Sequence, residues 1–294
     1  MTFNPDSNIG SGKVSKRGRN TGIAVGGGGI VVVILALISP LLGVDLSGLA
    51  PLLGGDTGQT QPGSTDDLSN CKTGADANSN VECRMKGASA SLDAYWSGQF
   101  AQERIQYRSP ADFVLFTGST NTGCGQATSA VGPFYCPSDQ TIYLDTGFFD
   151  DLRGQFGANG GPLAEMYVVA HEWGHHIQNL LGTMDNLNLQ DTGPTSDSVR
   201  LELQADCYAG SWAKDASTVP DSNGVPFLKP ITQQQINDAL NAAQVIGDDR
   251  IQEQATGQVN PETWTHGSSA ERQKWFTTGY EQGPNACQTF GGSL

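Results

Sequence analysis

Residues 168–182 read VVAHEWGHHIQNLLG, and within them His171-Glu172-Trp173-Gly174-His175 forms an H-E-x-x-H motif. On a helix, positions i and i+4 stack on one face, so His171 and His175 can reach one metal ion. Glu172 stands beside the first ligand, where it can face a water as general base. At this composition the motif arises by chance about 0.5% of the time. The apolar residues Tyr167-Val168-Val169-Ala170 precede it, as a buried helix requires, and Gly182 follows as a stop. Gly174 costs about 1 kcal/mol of helix propensity, which predicts a neighbour close enough to exclude a side chain. The bland alternative is a helix carrying two ordinary polar histidines.

Three protein ligands leave a zinc ion open to water and substrate, so one more ligand is needed. Of the four histidines only His266 lies outside 171–176, and the side chain of His176 points about 100° away from that of His175. His176 is therefore expected to make a packing or hydrogen-bond contact. The segment Arg200–Gly210, RLELQADCYAG, offers Glu202 and Asp206 at i and i+4. Glu202 is expected as third ligand and Asp206 as the acceptor that fixes a ligand histidine. Taken alone, this pair also reads as a solvated acidic face.

Outward from this centre, Pro162–Leu181 predicts a long apolar helix. Residues 88–105 form another, with Leu92, Tyr95, Trp96 and Phe100 on one side. Phe113–Phe116 and Phe134–Leu144 predict strands around a Gly-rich, Cys-containing loop, 117–133. Further helices are expected near 148–156, from Ser196 to Lys214, from Thr232 and from Ser268. Strands before helices place the chain in the α+β class.

The N-terminal fifth has another character. From Ile23 to Val44 there are 22 residues without a charge, enough to span about 30 Å of hydrocarbon. Lys13, Lys16, Arg17 and Arg19 flank only its N-terminal side, which puts the N-terminus in the cytoplasm by the positive-inside rule. The expected organisation is a basic cytoplasmic segment 1–21, a single-pass membrane helix 22–44, a Gly/Ser/Thr/Asp-rich linker 45–70 and an extracytoplasmic domain 71–294. A cleaved signal peptide is the alternative, but no A-x-A-like site follows the run.

The chain carries a net charge of −14, with +3 in residues 1–21 and hence −17 beyond them. So acidic a body excludes nucleic acid as a partner. Six cysteines, all beyond the apolar run and none in C-x-x-C, suit disulfides in an oxidising compartment. Local pairing gives Cys71–Cys83 and Cys124–Cys136, leaving Cys207–Cys287; free buried thiols are the alternative.

HEWGHHIQ, ELQAD and His266-Gly267-Ser268-Ser269-Ala270-Glu271-Arg272 together resemble the putative neutral zinc metallopeptidase family of bacteria, over roughly residues 71–294. The E-x-x-A-D form is also similar to membrane-bound gluzincins. The resemblance implies a zincin-like domain, a small sheet plus helices carrying H-E-x-x-H and E-x-x-x-D, acting as a zinc metalloendopeptidase on proteins or peptides. It implies one Zn2+ held by His171, His175 and Glu202, with Glu172 as base and Asp206 in support. Metallopeptidases use a His or Tyr to steady the oxyanion, which gives His266 that role or a merely structural one. In zincins an edge strand receives the substrate backbone, and Gln140–Leu144 is the expected strand, unless it is an ordinary core strand. Two other functions fit the residues. One is a membrane-anchored binding or scaffold protein with a structural zinc, although such sites have four protein ligands and only three good ones occur. The other is a zinc amidase acting on a non-peptide, cell-wall amide.

Overall fold

Chain order in the computed structural model, which describes residues 2–17, 68–292 and 294, starts with β1 (Ser15–Arg17), α1 (Gly74–Ser79) and α2 (Val81–Gln102). Five strands follow: β2 (Asp112–Phe116), β3 (Ser119–Thr122), β4 (Gly125–Thr128), β5 (Phe134–Cys136) and β6 (Thr141–Asp145). The helices α3 (Phe148–Gly154), α4 (Pro162–Leu180), α5 (Asp197–Asp215), α6 (Gln233–Val245), α7 (Asp248–Thr256) and α8 (Ser269–Gln282) complete it. The mixture of a small sheet and helices agrees with the expected α+β class and with a zincin-like domain.

Helix α4 forms where the motif predicts it. Pro162 supplies a preset φ at the first turn, where its missing N–H costs nothing. Gly182, at φ +71°, ends the helix: its N–H donates to the Asn179 carbonyl and that of Thr183 to the Gln178 carbonyl. That is a Schellman motif, which needs the left-handed conformation glycine takes freely. Every residue from Leu163 to Gln178 is buried, so this is the central helix, with α5 packed along it and α8 packed on α5. The caps of α5, α6 and α8 are Ser196, Thr232 and Ser268, each accepting from a first-turn backbone N–H.

The main sheet has the order β1-β2-β6-β5, with β1, β2 and β6 parallel and β5 antiparallel to β6. Phe113, Leu115, Ile142 and Leu144 face the helices, while Val114, Phe116 and Tyr143 form a second apolar cluster with Ala127 beneath the β3–β4 hairpin. Burial on both faces explains the unbroken apolar runs of β2 and β6. The expected single strand Phe134–Leu144 is instead two strands reversing around 137–140, where Gln140 has φ +55°. Gln140–Leu144 is not an edge either: β6 is flanked by β2 and β5, and the end strand on the α4 side is β5.

The expected domain start at residue 71 is also revised, because residues 2–17 are built into the body. Phe3 and Ile9 are fully buried. Asn4 N–H donates to the Phe227 carbonyl at 3.0 Å, and Lys229 N–H to the Thr2 carbonyl at 2.9 Å. Asn78 Oδ1 accepts from both Thr2 N and Phe3 N. Lys16 Nζ pairs with Glu82 at 2.9 Å, and Arg17 donates to the Asn121 carbonyl and lies over the Tyr143 ring. Backbone pairing and two isolated apolar plugs leave no periodic signature, so the segment reads as a basic tail. The expected membrane helix 22–44, and residues 45–67 of the linker, fall outside the described residues. Among the described residues no helix is long and apolar enough to cross a membrane.

The cysteines pair as expected: Cys71–Cys83, Cys124–Cys136 and Cys207–Cys287.

Candidate metal centre

Helix α4 presents His171 and His175 on one face, and α5 crosses it to bring Glu202 between them. His171 Nε2 lies 3.0 Å from Glu202 Oε2, and His175 Nε2 lies 3.4 Å from Glu202 Oε1. Donor atoms of all three fall within 4.8 Å of one another. This close crossing needs Gly174: a Cβ there would stand 2.9 Å from the Ala205 Cα and 3.0 Å from its carbonyl oxygen. Gly174→Ala should therefore melt below wild type, because overpacking of about 1–3 kcal/mol outweighs the roughly 1 kcal/mol gained in helix propensity. A variant melting above wild type would contradict that packing account.

The remaining ring nitrogens are committed. Gln178 Nε2 donates to the Leu201 carbonyl at 2.7 Å, which turns its Oε1 toward His175 Nδ1 at 2.8 Å. Asp206 Oδ1 lies 2.8 Å from His171 Nδ1. Both acceptors require Nδ1–H, so both Nε2 lone pairs point at the Glu202 carboxylate. Two lone pairs facing a carboxylate at 3.0 and 3.4 Å repel one another unless a proton or a cation sits among them. That convergence, with nitrogen and oxygen donors and no sulfur, fits zinc.

The electrostatics say the same. Burial alone would push His171 toward its neutral form, but Asp206 and Glu202 raise it to about 10. Burial raises Glu202 too, yet His175 and His171 hold it well below the ordinary carboxylate range. Asp206 is brought to about 2 against the burial penalty, chiefly by the Arg272 guanidinium and then by His171. The two carboxylates behave as halves of ion pairs whose other half is positive, and His171 as a group poised between two negative partners. Glu172 differs: burial dominates and pushes its carboxyl up, which makes it a stronger proton acceptor once ionised.

His266 stands in the loop before α8, and Asp248, the first residue of α7, holds it. Asp248 Oδ2 accepts the backbone N–H groups of Thr265, His266 and Gly267 at 2.7, 2.7 and 3.1 Å. Its Oδ1 lies 3.2 Å from His266 Nδ1. Burial disfavours the imidazolium but Asp248 outweighs it, so His266 is raised; its charge also lowers Glu202. The imidazole thus lies near enough to the cluster for Glu202 to feel its charge. His176 is a packing residue, with Nε2–H donated to the Arg108 carbonyl at 2.8 Å and Nδ1 accepting from the Tyr135 hydroxyl at 3.1 Å.

Sequence reasoning missed Gln178, Tyr167, Asp248 and the part played by Arg272. Gln178 was within reach, since i+3 from His175 puts it on the same face. Arg272 falls within the quoted HGSSAER stretch. Asp248 sits 18 residues before His266 and carries no local signal.

Two curated relatives align over most of their length. "Uncharacterized protein Rv2575" of Mycobacterium tuberculosis is 54% identical over 253 residues, spanning 85% of this chain and 84% of the relative. "Uncharacterized protein YpfJ" of Escherichia coli K12 is 39% identical over 292 residues, spanning 97% and 94%. No solved structure matches the chain. A family model described as putative neutral zinc metallopeptidase matches residues 4–290, from the packed N-terminal segment through both motif helices to α8, and the chain belongs to that family.

Proposed function

We propose that the protein is a zinc-dependent endopeptidase, holding one Zn2+ per chain and hydrolysing peptide bonds of proteins or peptides outside the cytoplasm. The observation that carries this reading is Glu172, a buried carboxyl beside a set of two histidines and one carboxylate with which, among the described residues, no fourth metal-ligating side chain is grouped. A structural zinc site would need a fourth protein ligand. Zinc, when bound, supplies a Lewis acid that polarises the scissile carbonyl and acidifies water. Glu172 takes the proton of the attacking water and passes it to the leaving amine. His266, held through Nδ1 by Asp248, offers its Nε2–H to the developing oxyanion. Strand β5 suits the docking edge better than β6. It is the end strand next to α4, to which the Tyr135 hydroxyl ties it by contacts with His176 and Asn179.

The test is cleavage of a mixed peptide library by the chain as it exists, with zinc, after chelation and after zinc is restored. Cleavage that follows zinc supports the peptidase. Zinc binding without cleavage under any condition moves a non-peptide amide or a scaffold role ahead.

The three disulfides support an oxidising compartment. The packing of residues 2–17 supports placing that segment on the same side as the catalytic body, and Lys16 and Arg17 have partners within the fold. Tags at the two ends should then be cut alike by an impermeant protease on intact cells. Protection of the N-terminal tag alone would restore the single-pass arrangement with a cytoplasmic N-terminus.

A further inference from the structure

Arg272 is a full-length cation in a protein interior, with its side chain 3% exposed, and it pairs with Asp206, whose side chain is 0% exposed. The pairing is a fork. Nε donates to Asp206 Oδ2 at 2.8 Å and Nη2 to Oδ1 at 3.0 Å, while Nη2 also reaches the Tyr167 hydroxyl and Nη1 the Ile246 carbonyl. Asp206 Oδ1 takes the Tyr167 hydroxyl at 2.5 Å and faces His171 Nδ1 at 2.8 Å. Both oxygens are thereby fixed in direction, one of them at the imidazole whose other nitrogen points into the centre. Bidentate guanidinium pairing supplies this kind of angular control, which an ammonium lacks.

Charge gives a second, independent reason for the residue. With the ligand imidazoles neutral, as metal binding requires, and His266 and Asp248 offsetting one another as a pair, Glu172, Glu202 and Asp206 contribute three negative charges around the centre and Arg272 one positive, leaving −2. One divalent cation neutralises that sum. A buried carboxylate without its partner is costly, whereas replacing both members of a buried pair by neutral groups is often tolerated.

We infer that Arg272 is a positioning residue of the metal centre: it aims Asp206 at His171 and sets the charge of the site to match one divalent ion. This rests on the reading of His171, His175 and Glu202 as ligands, but not on what the enzyme cleaves. The test is zinc affinity, by competition with a chromophoric chelator, in wild type, Arg272→Lys, Arg272→Met, Asp206→Asn and the double variant Arg272→Met/Asp206→Asn, with helix content followed alongside. Arg272→Met should bind zinc about 10- to 100-fold more weakly, the usual cost of losing an outer partner of a ligand. Arg272→Lys should fall between it and wild type. The double variant restores the charge to −2 and keeps an oxygen acceptor for His171, so it should bind more tightly than either neutral single variant. If Arg272→Met does not fold, a folded, zinc-binding double variant supports the inference on its own. Zinc affinity unchanged in Arg272→Met, or a double variant as weak as the sum of both losses or unable to fold, overturns it. Failure of wild type to bind zinc would instead sink the metal reading itself.

Discussion

Glu172→Gln should bind zinc like the wild type and turn over peptide at least about 1,000-fold more slowly, within the range general acid–base groups contribute. The side chain is buried and burial already disfavours its charge, so a neutral amide of the same shape causes no desolvation penalty and should leave the fold intact. What it lacks is a site for the proton of water. His171, His175 and Glu202 are untouched, so metal content separates loss of the base from loss of the centre. Residual turnover near wild type would remove Glu172 from the role of base.

Glu202→Ala should lose zinc, with affinity falling more than about 100-fold, beyond what outer partners of ligands cost. Glu202 is the group both imidazoles face, at 3.0 and 3.4 Å, and it supplies the only anionic donor of the three. Asp206 cannot step in without moving, because its oxygens are committed to Arg272, Tyr167 and His171 Nδ1. Stoichiometric zinc at undiminished affinity in this variant would assign the third ligand elsewhere. Helix content should survive, since Glu202 is partly exposed and the α5 face beneath it stays buried.

Much of this centre was legible because both motifs lie on single helices, where i, i+4 spacing translates directly into a shared face. Gly174 even announced the crossing of α4 and α5 through its poor helix propensity, and the structure supplies Ala205 as the neighbour. The disulfides were legible because two of them close short local loops, which leaves one choice for Cys207 and Cys287. What stayed hidden depends on contacts distant in sequence. Residues 2–17 hold on by backbone pairing to β2 and by Phe3 and Ile9, too few side chains for any pattern. Helix α7, DDRIQEQAT, buries only Asp248 and Gln252, so no apolar stripe marks it. The reversal between β5 and β6 did carry a local signal that the sequence reading passed over, the turn formers Pro137-Ser138-Asp139, with Asp139 Oδ1 accepting from Thr141 N–H at 3.1 Å and Gln140 at positive φ. Arg272 could be seen in the sequence, but its pairing with Asp206 comes only from the docking of α8 on α5.

X-ray absorption at the zinc edge, on the full chain purified without added chelator, probes the centre most directly. The expected result is one zinc per chain with two imidazole nitrogens and oxygen donors completing the shell. Zinc bound to sulfur, a third imidazole among the ligands, or no zinc at all would contradict the assignment of His171, His175 and Glu202.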